Sequence, residues 1–218
     1  FTADVLRNIA NNIKNGPHGR FSISKHVKND LHLRKTESLK KKRQASILIP
    51  LCNRNGEASI LYTLRSQTVG THKGQVSFPG GMNNPDEDDI STAIRETIEE
   101  IGEDVGDIEI IGLGQTIYSI TGVLVTPVIG FIKNDVGDLR HFTPETNEVE
   151  EIFTRSLAKL NDNTYKTYET YERDGKKATM PVYGGNTDGF LKENLVDIIA
   201  PNGDIMKVRR KRIWGLTG

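Results

Sequence analysis

Apolar positions in the middle of this chain come in short runs, and their period changes from one stretch to the next. "SILIPL" (46–51) and "ASILYTL" (58–64) are dense in β-branched and aliphatic residues and read as strands joined by the turn "CNRNGE". "GQVSFPGG" (74–81) reads as a short strand ending in a glycine-rich loop. Over about 88–101 the period becomes helical, with Ile90, Ala93, Ile94, Thr97 and Ile101 on one side. Strand-like text returns in "IEIIGLGQTIYSI" (108–120) and, after a break at Gly122, in "VLVTPVIGFI" (123–132). "EEIFTRSLAKL" (150–160) reads as a strand passing into a short helix, and "YKTYETYER" with "ATMPVY" as a hairpin around Asp174 and Gly175. Near the start, Val5, Leu6, Ile9, Ala10 and Ile13 predict an amphipathic helix. Strands mixed with a few helices, without repeats or a second apolar core, predict a sheet covered on its faces by helices.

Length and charge narrow this only a little. The 218 residues suffice for one domain and an appendage, divided here as an arm over 1–44 and a compact domain over 45–218. Lys+Arg and Asp+Glu both number 29, so no global charge selects nucleic acid or an acidic partner, and any electrostatic specialisation is local. The basic run "RKTESLKKKRQ" (34–44) lacks interleaved aromatics and reads as a solvated linker rather than a phosphate or membrane contact. Cys52, the one cysteine, reads as a small buried hydrophobe. No run reaches the roughly 18–20 apolar residues of a membrane span. The chain begins at Phe1 and closes on "IWGLTG", and both ends read as trimmed.

The local specialisation is "GGMNNPDEDDISTAIRETIEEIG" (80–102). Glu96 and Glu100 are four apart, about 40° around a helix axis, and Glu99 lies beside them. On the solvent side of a helix these carboxylates repel by a few tenths of a kcal/mol per pair. A hard cation such as Mg²⁺ or Mn²⁺ reverses that sign. Asp86, Glu87, Asp88 and Asp89 suit the positive end of the same helix.

The spacing resembles the signature of the Nudix hydrolase family, G-x5-E-x7-R-E-U-x-E-E-x-G-U, where U is aliphatic. Gly81, Glu87, Arg95, Glu96, Glu99, Glu100 and Gly102 match. Thr97 and Glu103 stand at two U positions; Glu103 is expected to weaken packing just past the helix. The resemblance implies the Nudix fold, a mixed sheet between helices (α/β/α), and metal-assisted hydrolysis of a diphosphate linked to another group. It implies Glu96 and Glu100 as principal metal ligands, Glu99 as a third ligand or the base that activates water, and Arg95 paired with Glu87. Gly80 and Gly81 are expected to adopt special backbone angles and bring a main-chain carbonyl to the ion. Glu148, in "TPETNEVEEIF" (143–153), is taken as a late-loop carboxylate completing the site, and Glu150 and Glu151 as surface charges.

"LYTLRSQTVGTHKGQVSFPGG" (61–81) is similar to the motif that precedes this signature in the coenzyme A diphosphatase branch, roughly L-L-T-x-R-S-x3-R-x3-G-x3-F-P-G-G. Gly70 replaces the second Arg, leaving Lys73 and His72 as substitutes for a phosphate contact. Arg65 reads equally as a phosphate contact or a strand-end ion pair, and His72 also reads as an ordinary loop residue. "MPVY" and "RIWGLTG" resemble that branch's closing segment, especially in mitochondrial members, with Trp214 a packing anchor and 184–211 an unexplained insertion.

The resemblance therefore implies a Mg²⁺- or Mn²⁺-dependent enzyme cutting coenzyme A or acyl-CoA into 3′,5′-ADP and a 4′-phosphopantetheine product. Its partner would be a small-molecule diphosphate; no nucleic acid is expected. A mitochondrial location is implied, with cytoplasm or peroxisome left open. The alternatives are a pyrophosphatase for ADP-sugars, dinucleotides or nucleoside triphosphates, and a catalytically idle binding module.

Overall fold

A computed structural model describes residues 1–15, 43–70, 72–119, 122–173, 176–183, 195–199, 205–209 and 213–214. The basic run over 34–42, the turn residues Asp174 and Gly175, most of the expected insertion and the Trp214 side chain lie outside the described residues.

The two runs that open the compact region form a hairpin, β1 (Gln44–Arg54) and β2 (Glu57–Arg65). Its turn is tighter than expected, Asn55 and Gly56 alone, with φ of 50° and 79°. Both angles being positive matches the turn to the right-handed twist of the strands. The Asp135 carboxylate accepts both turn amides at 2.7 Å. Next come β3 (Val76–Ser77), β4 (Gly80–Met82) and α2 (Asp89–Ile101), the first helix being α1 (Ala3–Asn15). They are followed by β5 (Ile108–Leu113), β6 (Ile117–Tyr118), β7 (Leu124–Ile132) and β8 (Val149–Ser156), which runs into α3 (Leu157–Leu160).

Strands β1 to β8 make one mixed sheet in the order β3-β2-β1-β7-β5, with β4 also on β1, β6 on β7 and β8 on β2. Strand β7 runs parallel to β1, from Gln44↔Leu124 to Cys52↔Ile132, and the other pairings are antiparallel. Because β1 lies inside the sheet it is buried on both sides, and alternate residues serve opposite faces. Leu48 packs with Ala93 and Val128, and Cys52 with Leu61, Ile101, Val105 and Ile132, all under α2. Leu51 and Phe131 take the other face, under α1. The expected sheet between helices is what forms.

The N-terminal helix packs against the sheet across the division drawn at residue 44. Leu6 is buried against Leu51 and Phe131, Ile9 packs beside it, and the Phe1 ring meets Phe131 edge-on at 5.9 Å. The Phe1 amino group donates to the Asn53 side chain. Helix α1 thus covers, mainly through Leu6, the sheet face over β1 and β7, which would otherwise expose a large apolar surface. Val5, placed on the apolar side from sequence, is exposed. Cys52 is a free, buried thiol; burial chiefly, with Asp135 adding, pushes it up to about 12.

Two features carry the fold toward its site. Tyr62 lies stacked between Phe78, at 5.0 Å, and Phe153, at 5.6 Å. This stack fixes the residue that enters the turn Pro79-Gly80-Gly81. The strands β9 (Lys166–Arg173) and β10 (Lys176–Tyr183) pair as expected, and β13 (Ile213–Trp214) adds to β10 through Val182↔Trp214. Ile213 packs against the Tyr62 cluster, which ties that small sheet to the main one. Within the expected insertion, β11 (Leu195–Ile199) and β12 (Ile205–Arg209) pair antiparallel. No helix among the described residues is long and apolar enough to cross a membrane.

Leu6→Ala tests the docking of α1. It should lower stability by about 2–4 kcal/mol in a urea titration, since a buried aliphatic side chain leaves a cavity; a helix merely tethered to the domain would lose almost nothing.

Candidate metal centre

Helix α2 starts at Asp88, whose carboxylate accepts the Ser91 amide at 2.7 Å as an N-cap. Asp89 accepts from the Ser46 hydroxyl on β1 at 2.7 Å and from the Asn83 amide group at 3.1 Å. The acidic residues before the helix therefore do more than face its dipole: Asp89 ties its first turn to β1 and to the end of β4. Ala93, Thr97 and Ile101 are buried as expected, Thr97 donating its hydroxyl to the Ala93 carbonyl at 2.6 Å. Glu103, at an aliphatic position of the signature, opens a short 3₁₀ turn and stays exposed. Val105, two residues on, fills the core in its place.

Arg95 is the hub of the site. It meets Glu87 through two parallel bonds, Nε to Oε1 at 2.8 Å and Nη2 to Oε2 at 2.9 Å, as expected from sequence. Thr92 donates its hydroxyl to the same Glu87 oxygen at 2.9 Å. The Arg95 bonds chiefly, with Thr92 helping, hold the Glu87 carboxyl down at about 2, and Glu87 in return raises the Arg95 guanidinium. The remaining donors reach further. Nη1 bonds Glu96 at 2.9 Å and Glu99 at 3.0 Å, and Nη2 reaches the Met82 carbonyl at 3.3 Å. One guanidinium thus links the loop, two helix carboxylates and β4.

The three helix carboxylates do not share a solvent face. Side-chain exposure falls from 57% at Glu99 through 17% at Glu96 to 3% at Glu100. Arg65 at the end of β2, the Gly80 amide and the 143–148 loop close over the last turn of α2. The Thr143 and Glu145 amides bond the Ile101 and Glu100 carbonyls there, at 3.2 and 3.0 Å. Burial raises the Glu100 carboxyl to about 8, against the pull of Arg65, with Glu148 and Glu96 adding to the rise. Glu96 is raised as well, first by burial, while Arg95 opposes.

Gly80 has the expected special angle, φ 153°, and a Cβ there would overlap the Ser46 carbonyl. Gly81 matters for a steric rather than a conformational reason. A Cβ at that position would collide with the Glu96 carboxylate, so the absence of a side chain makes the cradle into which Glu96 reaches.

This donor set fits a hard divalent cation such as Mg²⁺ or Mn²⁺. All the donors are carboxylate oxygens, and Glu100 Oε2 is buried without a hydrogen-bond partner, which a buried anion does not tolerate without compensation. Glu96, Glu99, Glu100 and Glu148 are the residues that would hold it. Among the described residues no three acidic, His or Cys side chains already stand at coordinating distances. Arg95 bonds an oxygen each of Glu96 and Glu99, and Arg65 Nη1 lies 3.9 Å from Glu100.

The outer candidates divide. Arg65 is turned inward, its Nη1 3.9 Å from Glu100 Oε1. Glu148 is exposed on its loop, yet its charge is felt by both Glu96 and Glu100. His72 and Lys73 are exposed on the 66–75 loop, His72 at φ 58° with Nδ1 2.9 Å from Gln75 Oε1; no bond joins either to the carboxylates. Gly70 faces open space. Thr92, Ser46 and Asn83 support the centre and were missed from sequence; the Ser46 bonds to Asn83 and Asp89 span 37 and 43 residues and leave no local signal, whereas the Thr92–Glu87 bond spans five and the Asn83–Asp89 bond six.

The raised Glu100 carboxyl makes a prediction for protein held in chelator. Its folded value, about 8, lies above the unfolded 4.5, so the stability it contributes is complete below pH 4.5 and drains away as pH rises through 8. The loss should reach roughly 3–5 kcal/mol. Glu100→Gln should flatten this part of the profile between pH 5 and 8 in denaturant titrations; an unchanged slope would show that Glu100 ionises normally.

Residues 42–173 match the NUDIX domain. The chain is 41% identical over 144 residues to the mitochondrial coenzyme A diphosphatase NUDT8 of Mus musculus, covering 64% of this chain and 67% of that protein. Its Homo sapiens counterpart is 41% identical over 143 residues, 64% of this chain and 59% of that protein. Nudix hydrolase 3 of Caenorhabditis elegans is 34% identical over 174 residues, 79% of this chain and 68% of that protein. With a glycine cradle, an Arg95–Glu87 clamp and the graded glutamates of α2 inside the matched region, the chain belongs to the Nudix hydrolase family.

Proposed function

We propose that the protein hydrolyses the diphosphate bond of coenzyme A or acyl-CoA, with Mg²⁺ or Mn²⁺, to 3′,5′-ADP and 4′-phosphopantetheine or its acyl derivative. The observation that carries this reading is the buried Glu100 carboxylate with one unpartnered oxygen, set beside Glu96 in the Gly81 cradle. The choice of coenzyme A rests on the "LYTLRS…VSFPGG" segment and on the names of the mammalian relatives. The word mitochondrial in those names extends the same proposal to the compartment.

When bound, the cation supplies charge neutralisation on the diphosphate and a more acidic water. The chain's own residues do the rest. Glu96 and Glu100 would hold the ion, with Glu148 and a main-chain carbonyl of the Gly80-Gly81 turn as further oxygen donors. Glu99, the most exposed of the helix carboxylates, takes the proton from the attacking water. The water oxygen ends on one phosphoryl group, and the bridging P–O bond breaks toward the other. Arg95 keeps Glu96 and Glu99 in register with the loop before the helix by bonding Glu87 as well, and exposed Lys73, with His72 beside it as a polar contact, would meet the substrate's outer phosphates.

Two measurements test this. Coenzyme A, ADP-ribose, NADH and nucleoside triphosphates are compared under Mg²⁺; coenzyme A should give the highest kcat/KM, and a preference for ADP-ribose or NADH would move the assignment to another diphosphate. Glu100→Gln and Gly81→Ala should each cut turnover by roughly 10²–10⁴-fold, the scale of losing several kcal/mol of charge stabilisation. Turnover near the parent's in Glu100→Gln would take that residue out of the mechanism.

A further inference from the structure

The end of β2 holds two carboxylates from two different elements. Arg65 and Ser66 are neighbours, and β2 carries a register shift against β8 between Leu64 and Arg65. The irregularity sends consecutive residues to separate tasks. The Arg65 side chain turns in to Glu100, Nη1 lying 3.9 Å from Oε1, while its own amide and carbonyl are taken up by Gln75 and Gly74 at 2.9 and 3.0 Å. The Ser66 amide donates to the Glu148 carbonyl at 2.8 Å. The Ser66 hydroxyl, in a residue only 7% exposed, lies 2.8 Å from the Thr68 hydroxyl, which donates to the Asn147 carbonyl at 2.9 Å. The other end of that loop is already secured, since the Glu145 amide bonds the Glu100 carbonyl at 3.0 Å and the Glu145 carbonyl accepts the Glu148 amide at 2.9 Å. The backbone at 147–148 is therefore pinned from both sides, and Glu148 projects from the pinned point.

We propose that Arg65, Ser66 and Thr68 are positioning residues that bracket the cation-holding carboxylates, Arg65 acting on Glu100 and the Ser66–Thr68 hydroxyl pair acting on Glu148 through the 147–148 backbone. This rests on the reading of Glu100 and Glu148 as residues that face a divalent cation. It gives the "RS" of the upstream segment a task separate from substrate contact, and it gives Thr68 a task that the sequence did not suggest. The chemical reason is economy of reach. An exposed loop carboxylate contributes to a cation only if its backbone is held, because a free loop spends binding energy on ordering.

The test uses Mn²⁺ binding to the whole protein, read by electron paramagnetic resonance without substrate, together with steady-state kinetics on coenzyme A. Thr68 is exposed, so Thr68→Val should fold and removes only the hydroxyl. It is expected to weaken Mn²⁺ binding about 10-fold or more, the usual cost of losing a residue that orients a metal ligand, and to lower kcat with KM for coenzyme A little changed. Thr68→Ser should restore both. Arg65→Lys, which keeps the charge and loses the planar fork, should weaken Mn²⁺ in the same direction. Unchanged Mn²⁺ affinity in Thr68→Val and Arg65→Lys, with KM raised instead, would overturn the bracket and make these residues substrate contacts. A parent protein that binds no Mn²⁺ would overturn the cation-site reading and the bracket with it, a result distinct from a parent that binds and variants that bind equally well.

Discussion

An ionised carboxylate withdrawn from water demands compensation, and Glu100 is withdrawn almost completely. The nearby architecture answers to that demand. The guanidinium of Arg65 comes up from the end of β2, the Gly80 amide faces it from β4, and the 143–148 loop shuts off solvent. None of these satisfies both oxygens. Nη1 of Arg65 stands beyond hydrogen-bonding distance, and its Nε is as unpartnered as Glu100 Oε2. Without a cation the group therefore resists ionisation, and a cation that fits would gain from the same burial that penalises the bare charge.

Arg95 solves a different problem on the exposed side of the helix. Glu87, Glu96 and Glu99 would repel one another, and a single planar donor fork bonds all three. An ion pair in full solvent would contribute under about 1 kcal/mol. Here the fork is less than one-third exposed, and it joins the loop before α2 to the helix and to β4. Its value is geometric: it sets the distance between the glycine cradle and the carboxylate that enters it.

The rest of the fold holds these pieces still. The turn carrying Gly80 and Gly81 is anchored on one side by the Tyr62–Phe78 stack and on the other by β1, where Ser46 stands opposite Gly81. Ser46 then reaches through its hydroxyl to Asn83 and Asp89, so strand, turn and helix start share one small polar network. Helix α1 contributes from the far face by covering Leu51 and Phe131, which lets β1 be buried throughout its middle. Loops and helix ends carry the chemistry, and the sheet keeps them in place.

What could be read from residue order was what is local. The period of apolar positions marked the strands and the helix near residues 88–101. The resemblance carried by Gly81, Glu87, Arg95, Glu96, Glu99 and Glu100 implied an Arg95–Glu87 pair, and that pair forms. Bonds within a helix turn, a cap or a hairpin join residues a few positions apart, so their partners are visible in the text. Depth was not. Glu96, Glu99 and Glu100 look alike on a helical wheel, and they differ in exposure because Arg65, Gly80 and the 143–148 loop arrive from distant parts of the chain. The docking of α1, the steric rather than conformational need for Gly81 and the grip of Ser66 and Thr68 on the Glu148 loop have the same origin. Each depends on two segments meeting across the sheet, and only the packed structure decides which segments meet.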